Sequence, residues 1–366
     1  MIDARAAVLL DAGADPQLTD VQVRPPVGDE VLVRLAAVGI CHTDVSVSAR
    51  WPGRKVPMVF GHEGVGTVVE AAPDARAAVG DQVVLTFASC GACADCVAGR
   101  PAYCAESTNL NMRGDRSDES SSLRLRGNPL RGGFFGQSSF ATHALTRPAN
   151  TVVLTEPMEP ALAAPLACSV QTGVGTVLNA LALGRDDAFV VFGAGAVGLS
   201  AVMGARLAEC RTVVAVDPVA ERRALATRFG ATATIDPADA DVVPALMDLT
   251  GGGPTAALDT TAQPEVIGAA LFALRACGAL ALVGLGALTA ELPVGLIMAK
   301  GLRVRGVVEG DSDPHAFIPR LAELWHDGDL PLDELVTTFD FDSFGEAWTA
   351  AKAGTAVKPV VVMPGA

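Results

Sequence analysis

The chain has 366 residues, of which half are hydrophobic and 38 are glycine. This length favours two domains, and this composition excludes a largely disordered protein. The formal net charge of −14 argues against nucleic acid or an anionic membrane surface as the main partner.

No targeting or membrane-spanning segment stands out. Near the N-terminus, the only apolar run is Ala6 to Leu10, which Arg5 and Asp11 bracket, and this is too short for a secretory signal. The longest apolar run, "ACGALALVGLGALTA", is too short and too rich in glycine to span a bilayer. We therefore expect a soluble, cytoplasmic protein whose eight cysteines are free thiols, metal ligands or redox groups.

The first 150 residues alternate strand-like runs such as "EVLVRLAAVGI", "GVGTVVEAA" and "DQVVLTF" with turns, which predicts a β-rich domain with little helix. The polar stretch at 113–128, "RGDRSDESSSLRLRGN", predicts an exposed loop. After Cys168 the pattern changes to strands alternating with helices, which predicts parallel βαβ units.

The alternation ends near Asp311, and the last predicted strand, "VKPVVVM", is expected to rejoin the first domain. The predicted fold class is therefore α/β. Residues 1–169 and 312–366 form a β-rich domain, and residues 170–311 form a doubly wound parallel sheet of the Rossmann type.

A glycine fingerprint, G-A-G-A-V-G, follows an apolar strand and opens a helix at Gly193, Gly195 and Gly198. Asp217 lies nineteen residues after Gly198, at the end of the next predicted strand. In this context the pattern predicts a dinucleotide site, with the pyrophosphate at the helix N-terminus and the ribose on the aspartate. The carboxylate would repel a 2′-phosphate, so NAD is favoured over NADP. The plainer interpretation is a tight turn with an incidental aspartate.

A four-cysteine lobe at 90–104 has the spacing C-x2-C-x2-C-x7-C, formed by Cys90, Cys93, Cys96 and Cys104. Four thiolates this close favour a structural zinc ion. An iron–sulfur cluster is the alternative, although the ferredoxin run ends C-x3-C-P, and here the last gap is seven residues.

Three further segments offer possible metal ligands: Cys41 in "GICHTD", His62 in "GHEGVG" and Cys168 in "LACSVQTG". Each alone is more often a buried small side chain or a turn histidine. In one order along nearly the whole chain, these segments, the four-cysteine lobe and the glycine fingerprint resemble the zinc-dependent alcohol dehydrogenases of the medium-chain dehydrogenase/reductase family.

The resemblance implies a role for each matching residue. It makes Cys41, His62 and Cys168 ligands of a catalytic zinc ion, and it makes the four lobe cysteines ligands of a structural zinc ion. The remaining matches are Thr43 as the hydroxyl that takes the substrate proton, Asp44 and Glu63 as carboxylates behind the ligands, His42 and Lys358 as cations near the pyrophosphate, and Asp217 with Arg222 as ribose contacts.

The implied reaction is the oxidation of an alcohol to its aldehyde with hydride transfer to NAD. Three protein ligands leave one zinc position for the alcohol, whose pKa the metal lowers. Many relatives carry a histidine three residues after the Thr43 position that passes the proton to solvent. Here the residue is Ser46, so what completes the proton path stays open.

The C-terminal third most resembles the benzyl (aryl) alcohol dehydrogenase branch, which implies a primary aromatic or allylic alcohol. Aromatic side chains near cleft-lining segments would suit such a substrate; they are Trp51, Phe87, Phe134, Phe135 and Phe140. The alternatives are a thiol-dependent formaldehyde dehydrogenase, whose cations could be Arg113, Arg116 and Arg131, and a non-catalytic protein that binds zinc and NAD. The family resemblance implies a homodimer or homotetramer.

Overall fold

The computed structural model describes residues 1–71, 75–116 and 120–365, and it divides the chain into two compact units. The first unit contains Met1–Cys168 and Asp313–Ala366, and the second contains Ser169–Ser312. The sequence predicts these divisions after residues 169 and 311, each one residue from its place in the structure.

The strands, in chain order, are β1 (Ile2–Leu9), β2 (Gln17–Val23), β3 (Val31–Gly39), β4 (Met58–Val59), β5 (Glu63–Ala71), β6 (Gln82–Leu85), β7 (Leu123–Leu125), β8 (Asn128–Leu130), β9 (His143–Thr146), β10 (Thr151–Val153), β11 (Ala188–Phe192), β12 (Thr212–Val216), β13 (Ala233–Ile235), β14 (Ala256–Asp259), β15 (Ala279–Leu282), β16 (Arg303–Gly306), β17 (Val336–Asp340) and β18 (Lys358–Val362). The α-helices are α1 (His42–Ser48), α2 (Ala94–Val97), α3 (Pro160–Ala163), α4 (Ser169–Gly175), α5 (Ala196–Leu207), α6 (Ala220–Arg228), α7 (Val242–Thr250), α8 (Pro264–Ala273), α9 (Val294–Lys300), α10 (Pro314–His326) and α11 (Phe344–Ala353). Short 3-10 and π segments connect several of them.

The described residues of the first unit form two sheets, with strand orders β4-β1-β2-β7-β8 and β10-β6-β5-β3-β18-β17, and β9 also pairs with β3. Strand β3 is central because most of its side chains are apolar and buried, with Arg34 as its exposed position. Strand β18 pairs antiparallel with β3, so the last strand lies in the first unit. These sheets enclose one large apolar core.

The predicted exposed loop at 113–128 is wrong for part of its length. Leu123–Leu125 forms β7, which pairs with β2 and, through a turn, with β8. The side chain of Leu123 is buried, which anchors this hairpin to the core and outweighs the polar composition around it. Residues 117–119 of the stretch lie outside the described residues.

The second unit is a parallel sheet with strand order β13-β12-β11-β14-β15-β16. All five residues of β11 are buried, as expected for a strand covered on both faces. The chain changes direction between β11 and β14, which is the switch point at which dinucleotides bind in this topology. The predicted α/β fold class with a Rossmann sheet is confirmed.

Across the described ranges, no single helix is both long and apolar enough to cross a membrane. One bent pair, Pro160–Ala167 with Ser169–Ala180, passes that criterion by length and composition when its two parts are taken together. Most of its side chains are buried inside the protein.

Candidate metal and dinucleotide sites

Three predicted metal ligands that are distant in sequence come together in the first unit. Cys41 precedes α1, His62 precedes β5, and Cys168 is the last residue of the unit's first segment. Their ligand atoms and one carboxylate oxygen of Glu63 all lie within 4.8 Å of one another. All four residues are buried.

Asp44 ties two of these ligand segments together. Its Oδ1 lies 3.0 Å from His62 Nδ1 and accepts the Gly61 backbone N–H, and its Oδ2 accepts the Cys41 backbone N–H at 3.0 Å. The pKa of His62 is raised well above its ordinary value: burial works in the opposite direction, but the Asp44 carboxylate outweighs it. The same preference for positive charge at the ring suits a divalent cation bound at Nε2.

The chemistry of the donor set fits zinc. Among the residues that the structure describes, Nε2 of His62 is buried and has no hydrogen-bond partner, which is costly for a polar atom unless a ligand completes it. The pKa of the Cys41 thiol is lowered well below its ordinary value by a hydrogen bond with Cys168, against the effect of burial, and the charge of Lys358 adds to the lowering. Two thiolates and one imidazole form a set that zinc binds well.

Glu63 and Lys358 form a buried ion pair beside this ligand set. Lys358 Nζ lies 2.9 Å from each Glu63 carboxylate oxygen, and both side chains are almost completely buried. Burial alone would lower the pKa of Lys358, but the Glu63 carboxylate outweighs it and raises that pKa. A Cβ at Gly39 would lie 1.9 Å from Glu63 Oε2, so any larger residue there would displace the carboxylate from its place beside Lys358. The role of Lys358 near a pyrophosphate stays a prediction, since its observed partner is Glu63.

The residues that follow Cys41 differ in exposure. Thr43 Oγ1 lies 3.7 Å from Cys41 Sγ, and its side chain is half-buried, so this hydroxyl is close to the ligand atoms. His42 is exposed. Ser46 is half-buried, and its backbone oxygen accepts a hydrogen bond from Arg50 Nε on the next turn.

An aromatic cluster lies beside the imidazole of His62. The Phe135 ring stacks on it, with centroids 4.6 Å apart and planes 30° apart, and the Phe134 ring contacts it edge-on at 5.9 Å. Phe60 contacts Phe134 at 4.9 Å, and Trp51 contacts Phe60 at 5.2 Å. An apolar, aromatic wall therefore adjoins the ligand atoms.

Two other aromatic residues that the sequence places near a cleft have different surroundings. Phe140 is fully buried, and its ring packs against Phe344 and Trp348 and not against the rings beside His62. Phe87 is buried in the core cluster that also includes Phe134, Phe135 and Phe140.

Two of the three arginines considered for a thiol-adduct site pair with carboxylates within the first unit. Arg116 pairs with the buried carboxylate of Glu30, and Arg131 Nε lies 3.0 Å from Asp115 Oδ1. Pairing with a carboxylate neutralises the charge that a thiol adduct would need.

The four-cysteine lobe brings its sulfurs within 4.8 Å of one another, and all four are free thiols. Backbone N–H groups point at these sulfurs: Cys90 N donates to Cys104 Sγ, Cys93 N to Cys90 Sγ, and Ala105 N to Cys93 Sγ, at 3.2 to 3.4 Å. The Ala105 amide and the Cys96 amide lower the pKa of Cys93 to about 6, whereas burial raises that of Cys104 to about 12. A dication would stabilise all of them as thiolates, so this set also fits zinc.

In the second unit, the glycine turn after β11 has the geometry of a phosphate-binding turn. Gly193 has φ +90°, and a Cβ there would lie 2.3 Å from Thr260 Oγ1. A Cβ at Gly198 would lie 1.9 Å from the Gly193 oxygen, so α5 packs directly on the turn. A Cβ at Gly195, the residue before α5, would have no described atom within 4 Å, which leaves the helix N-terminus open to a ligand.

Asp217 follows β12 and reaches this turn. Its Oδ2 accepts the Ala194 backbone N–H at 2.7 Å, and its Oδ1 accepts the Val219 N–H at 2.8 Å. Arg222 Nη1 lies 4.0 Å from Oδ2. Each carboxylate oxygen has a further lone pair for a ribose hydroxyl, so these residues fit a dinucleotide.

Gln137 is a site residue that the sequence pattern did not indicate. Its buried amide donates to the His62 and Thr86 backbone oxygens and accepts the Gly64 N–H. The only signal in the sequence was its polar side chain between a pair of phenylalanines and a single one, in "GGFFGQSSF".

Two family models match the chain: the alcohol dehydrogenase GroES-like domain over residues 28–155 and the zinc-binding dehydrogenase domain over residues 196–324. Among curated proteins, a geraniol dehydrogenase of Castellaniella defragrans is 43% identical over 99% of this chain and 98% of its own length. An S-(hydroxymethyl)glutathione dehydrogenase of Komagataella pastoris is 30% identical over 99% of this chain and 98% of its own.

Among solved structures, the benzyl alcohol dehydrogenase of Acinetobacter calcoaceticus has a TM-score of 0.94 and 39% identity to this chain. The match covers 99% of this chain and 100% of that one. The likeness therefore extends over both units of the chain.

Proposed function

The chain belongs to the zinc-dependent alcohol dehydrogenases of the medium-chain dehydrogenase/reductase family, and we propose that it oxidises a primary aromatic or allylic alcohol to its aldehyde with NAD. The observation that carries this proposal is the Phe135 ring stacked on His62, beside the Cys41, His62 and Cys168 ligand atoms. The similarity to a geraniol dehydrogenase and to a benzyl alcohol dehydrogenase supports the same substrate class.

The proposal includes two zinc ions per chain, because both sets of ligands are complete. When bound, the zinc at Cys41, His62 and Cys168 supplies a Lewis acid that lowers the pKa of the alcohol, and NAD supplies the hydride acceptor. Cys90, Cys93, Cys96 and Cys104 hold the second ion, whose four protein ligands suit a purely structural role. Elemental analysis of the native protein tests the count: two zinc ions per chain are expected, and one zinc ion or any iron would contradict it.

Residues of the chain orient the metal ligand, transfer the proton and bind the cofactor. Asp44 orients the His62 ring by accepting its Nδ1–H. Thr43 Oγ1, 3.7 Å from Cys41 Sγ, accepts the proton of the alcohol while its own hydroxyl proton would pass to a ribose hydroxyl of NAD. Asp217 hydrogen-bonds the adenosine ribose and repels a 2′-phosphate, which selects NAD over NADP.

The aromatic wall predicts the substrate preference. Each CH₂-sized group removed from water contributes about 0.8 kcal/mol, so a ring in place of the methyl group of ethanol contributes several hundredfold in kcat/KM. A conjugated aldehyde product also favours oxidation. We therefore expect benzyl and allylic alcohols to exceed ethanol by at least about a hundredfold.

A kinetic panel with ethanol as the reference tests this preference, and matched pairs of substrates test the effect of conjugation. Benzyl alcohol is compared with cyclohexylmethanol, and geraniol with its 2,3-dihydro analogue, because each pair keeps the size and removes the conjugation. The unsaturated member of each pair should be the better substrate. If formaldehyde with a small thiol were turned over far better than any of these alcohols, the substrate class would be wrong.

A further inference from the structure

The loop of residues Phe134–Ser138, called here the 134–138 loop, carries strained backbone beside the ligand histidine. Phe135 has φ +49° and Ser138 has φ +51°, and Gly136 between them has φ +66°. A residue other than glycine, and above all a bulky one, loses about 1–2 kcal/mol of conformational energy in this left-handed region. Such strain persists only where the surroundings determine the conformation, and it is found most often at functional sites.

Side chains from outside and inside the loop hold that conformation. Ser138 Oγ donates to the Val59 backbone oxygen at 2.6 Å and accepts the Phe134 backbone N–H at 3.0 Å. Asn150 Nδ2 donates to the Phe135 backbone oxygen at 3.1 Å. These bonds are buried, so the loop has one well-defined conformation.

What this conformation achieves is contact with both the ring and the backbone of His62. The Phe135 ring lies flat on the imidazole, with centroids 4.6 Å apart. Gln137 Nε2 donates to the His62 oxygen at 2.9 Å and to the Thr86 oxygen at 3.0 Å, and its Oε1 accepts the Gly64 N–H at 3.3 Å. The side chain thus bridges the residues on each side of Glu63 and joins them to the neighbouring strand.

These contacts restrict motions that Asp44 leaves free. A single hydrogen bond at Nδ1 lets the imidazole pivot about the Nδ1···Oδ1 direction. A ring stacked on one face of the imidazole opposes that pivot, and a clamped backbone fixes where the side chain begins. Together the three contacts determine the direction in which Nε2 points.

We propose that Phe135 and Gln137 are positioning residues that aim His62 Nε2 at its metal, and that the left-handed backbone of Phe135 is the cost of this placement. The inference rests on the metal site of the proposed function. It also distinguishes two roles for Phe135, positioning of the metal ligand and contact with the substrate. If the ring only formed a wall for the substrate, replacing it would leave the metal geometry unchanged.

The test uses metal binding as its readout, in the full chain. Cobalt(II) is exchanged into the Cys41, His62 and Cys168 site, where its visible bands report the ligand geometry, and the rate of metal release to an excess of chelator is measured. The variants are Phe135→Leu and Gln137→Met. Metal affinity typically falls 10- to 100-fold when a group that orients a ligand is lost, so we expect shifted bands and release faster by about tenfold or more.

Matched controls carry the same substitutions elsewhere in the first unit. Phe341→Leu removes a buried ring that packs against Arg5 in the same core, and Gln82→Met removes a glutamine that bridges the backbone N–H and oxygen of Met158. Both should lower stability while leaving the cobalt bands and the release rate as in the native enzyme. Phe135→Tyr keeps the ring and should restore native bands.

The outcomes distinguish a failure of the proposed metal site from a failure of the proposed positioning role. If the native chain took up no cobalt at this site, the metal site itself would be wrong. If it took up cobalt, and Phe135→Leu and Gln137→Met kept native bands and release rates, positioning by the 134–138 loop would be refuted. A change in kinetics with aryl substrates alone would then assign Phe135 to the substrate wall.

Discussion

Replacing Lys358 by methionine should destabilise the first unit strongly, because it leaves the Glu63 carboxylate buried without its partner. Lys358 is 1% exposed and Glu63 is fully buried, and the two groups are 2.9 Å apart. At an effective dielectric constant of about 20, charges at that distance attract by about 6 kcal/mol. Removing one partner of a buried pair costs about 3–5 kcal/mol, since the remaining charge loses the attraction but stays out of water.

Lys352 supplies the matched control. Its Nζ lies 2.8 Å from Asp15 Oδ1, but about half of each side chain is exposed. An exposed pair contributes about 0–1 kcal/mol, so Lys352→Met should cost little although it removes the same group at nearly the same distance. The contrast isolates burial as the variable.

Denaturant unfolding followed by tryptophan fluorescence is the assay. All three tryptophans, Trp51, Trp325 and Trp348, lie in the first unit, so their signal follows the unit that contains the ion pair. Lys358→Met should lower the free energy of unfolding by about 3–5 kcal/mol, and the double variant Glu63→Gln/Lys358→Met should regain about half of the loss or more. The reasoning is refuted if Lys358→Met costs no more than Lys352→Met, or if the double variant is no more stable than Lys358→Met.

Three further predictions concern the metals, the cofactor and the proton. Cys104→Ser should remove one zinc ion and lower stability, whereas Cys168→Ser should abolish turnover with a smaller effect on folding; elemental analysis beside thermal unfolding checks both. Asp217→Gly should weaken NAD binding by about 1.5–3 kcal/mol per lost hydrogen bond and relax the exclusion of NADP, and native use of NADP would contradict this role. Thr43→Ala should slow turnover by about 10²–10⁴ while Thr43→Ser stays active, and an equally active alanine variant would show another proton path.

The parts of the site that the sequence predicts best are those encoded in short stretches. The four lobe cysteines lie within fifteen residues, and the glycine fingerprint with its aspartate lies within one βαβ unit, so local spacing suffices. The ligands Cys41, His62 and Cys168 have no such spacing, and only the family resemblance joined them before the structure did.

Contacts between distant residues are what the sequence could not indicate. Lys358 and Glu63 are 295 residues apart, and the pairing depends on β18 returning beside β3, opposite β5. The Gln137 side chain donates a hydrogen bond to the backbone oxygen of His62. A partner that is a backbone atom has no signature in the sequence. Polar side chains of this kind look like ordinary loop residues until the strands around them are known.

Phe135 and Phe140 show why residue type alone does not decide between core and site. They are five positions apart and both are buried, yet one stacks on a metal-ligand candidate and the other packs against α11. The difference arises from backbone conformation, because the positive φ values at Phe135, Gly136 and Ser138 reverse the chain between them. No helical or strand periodicity contains such a reversal, so a pattern-based assignment treats the two rings alike. The strained turn that misleads the sequence interpretation is therefore the same feature that brings an aromatic ring onto His62.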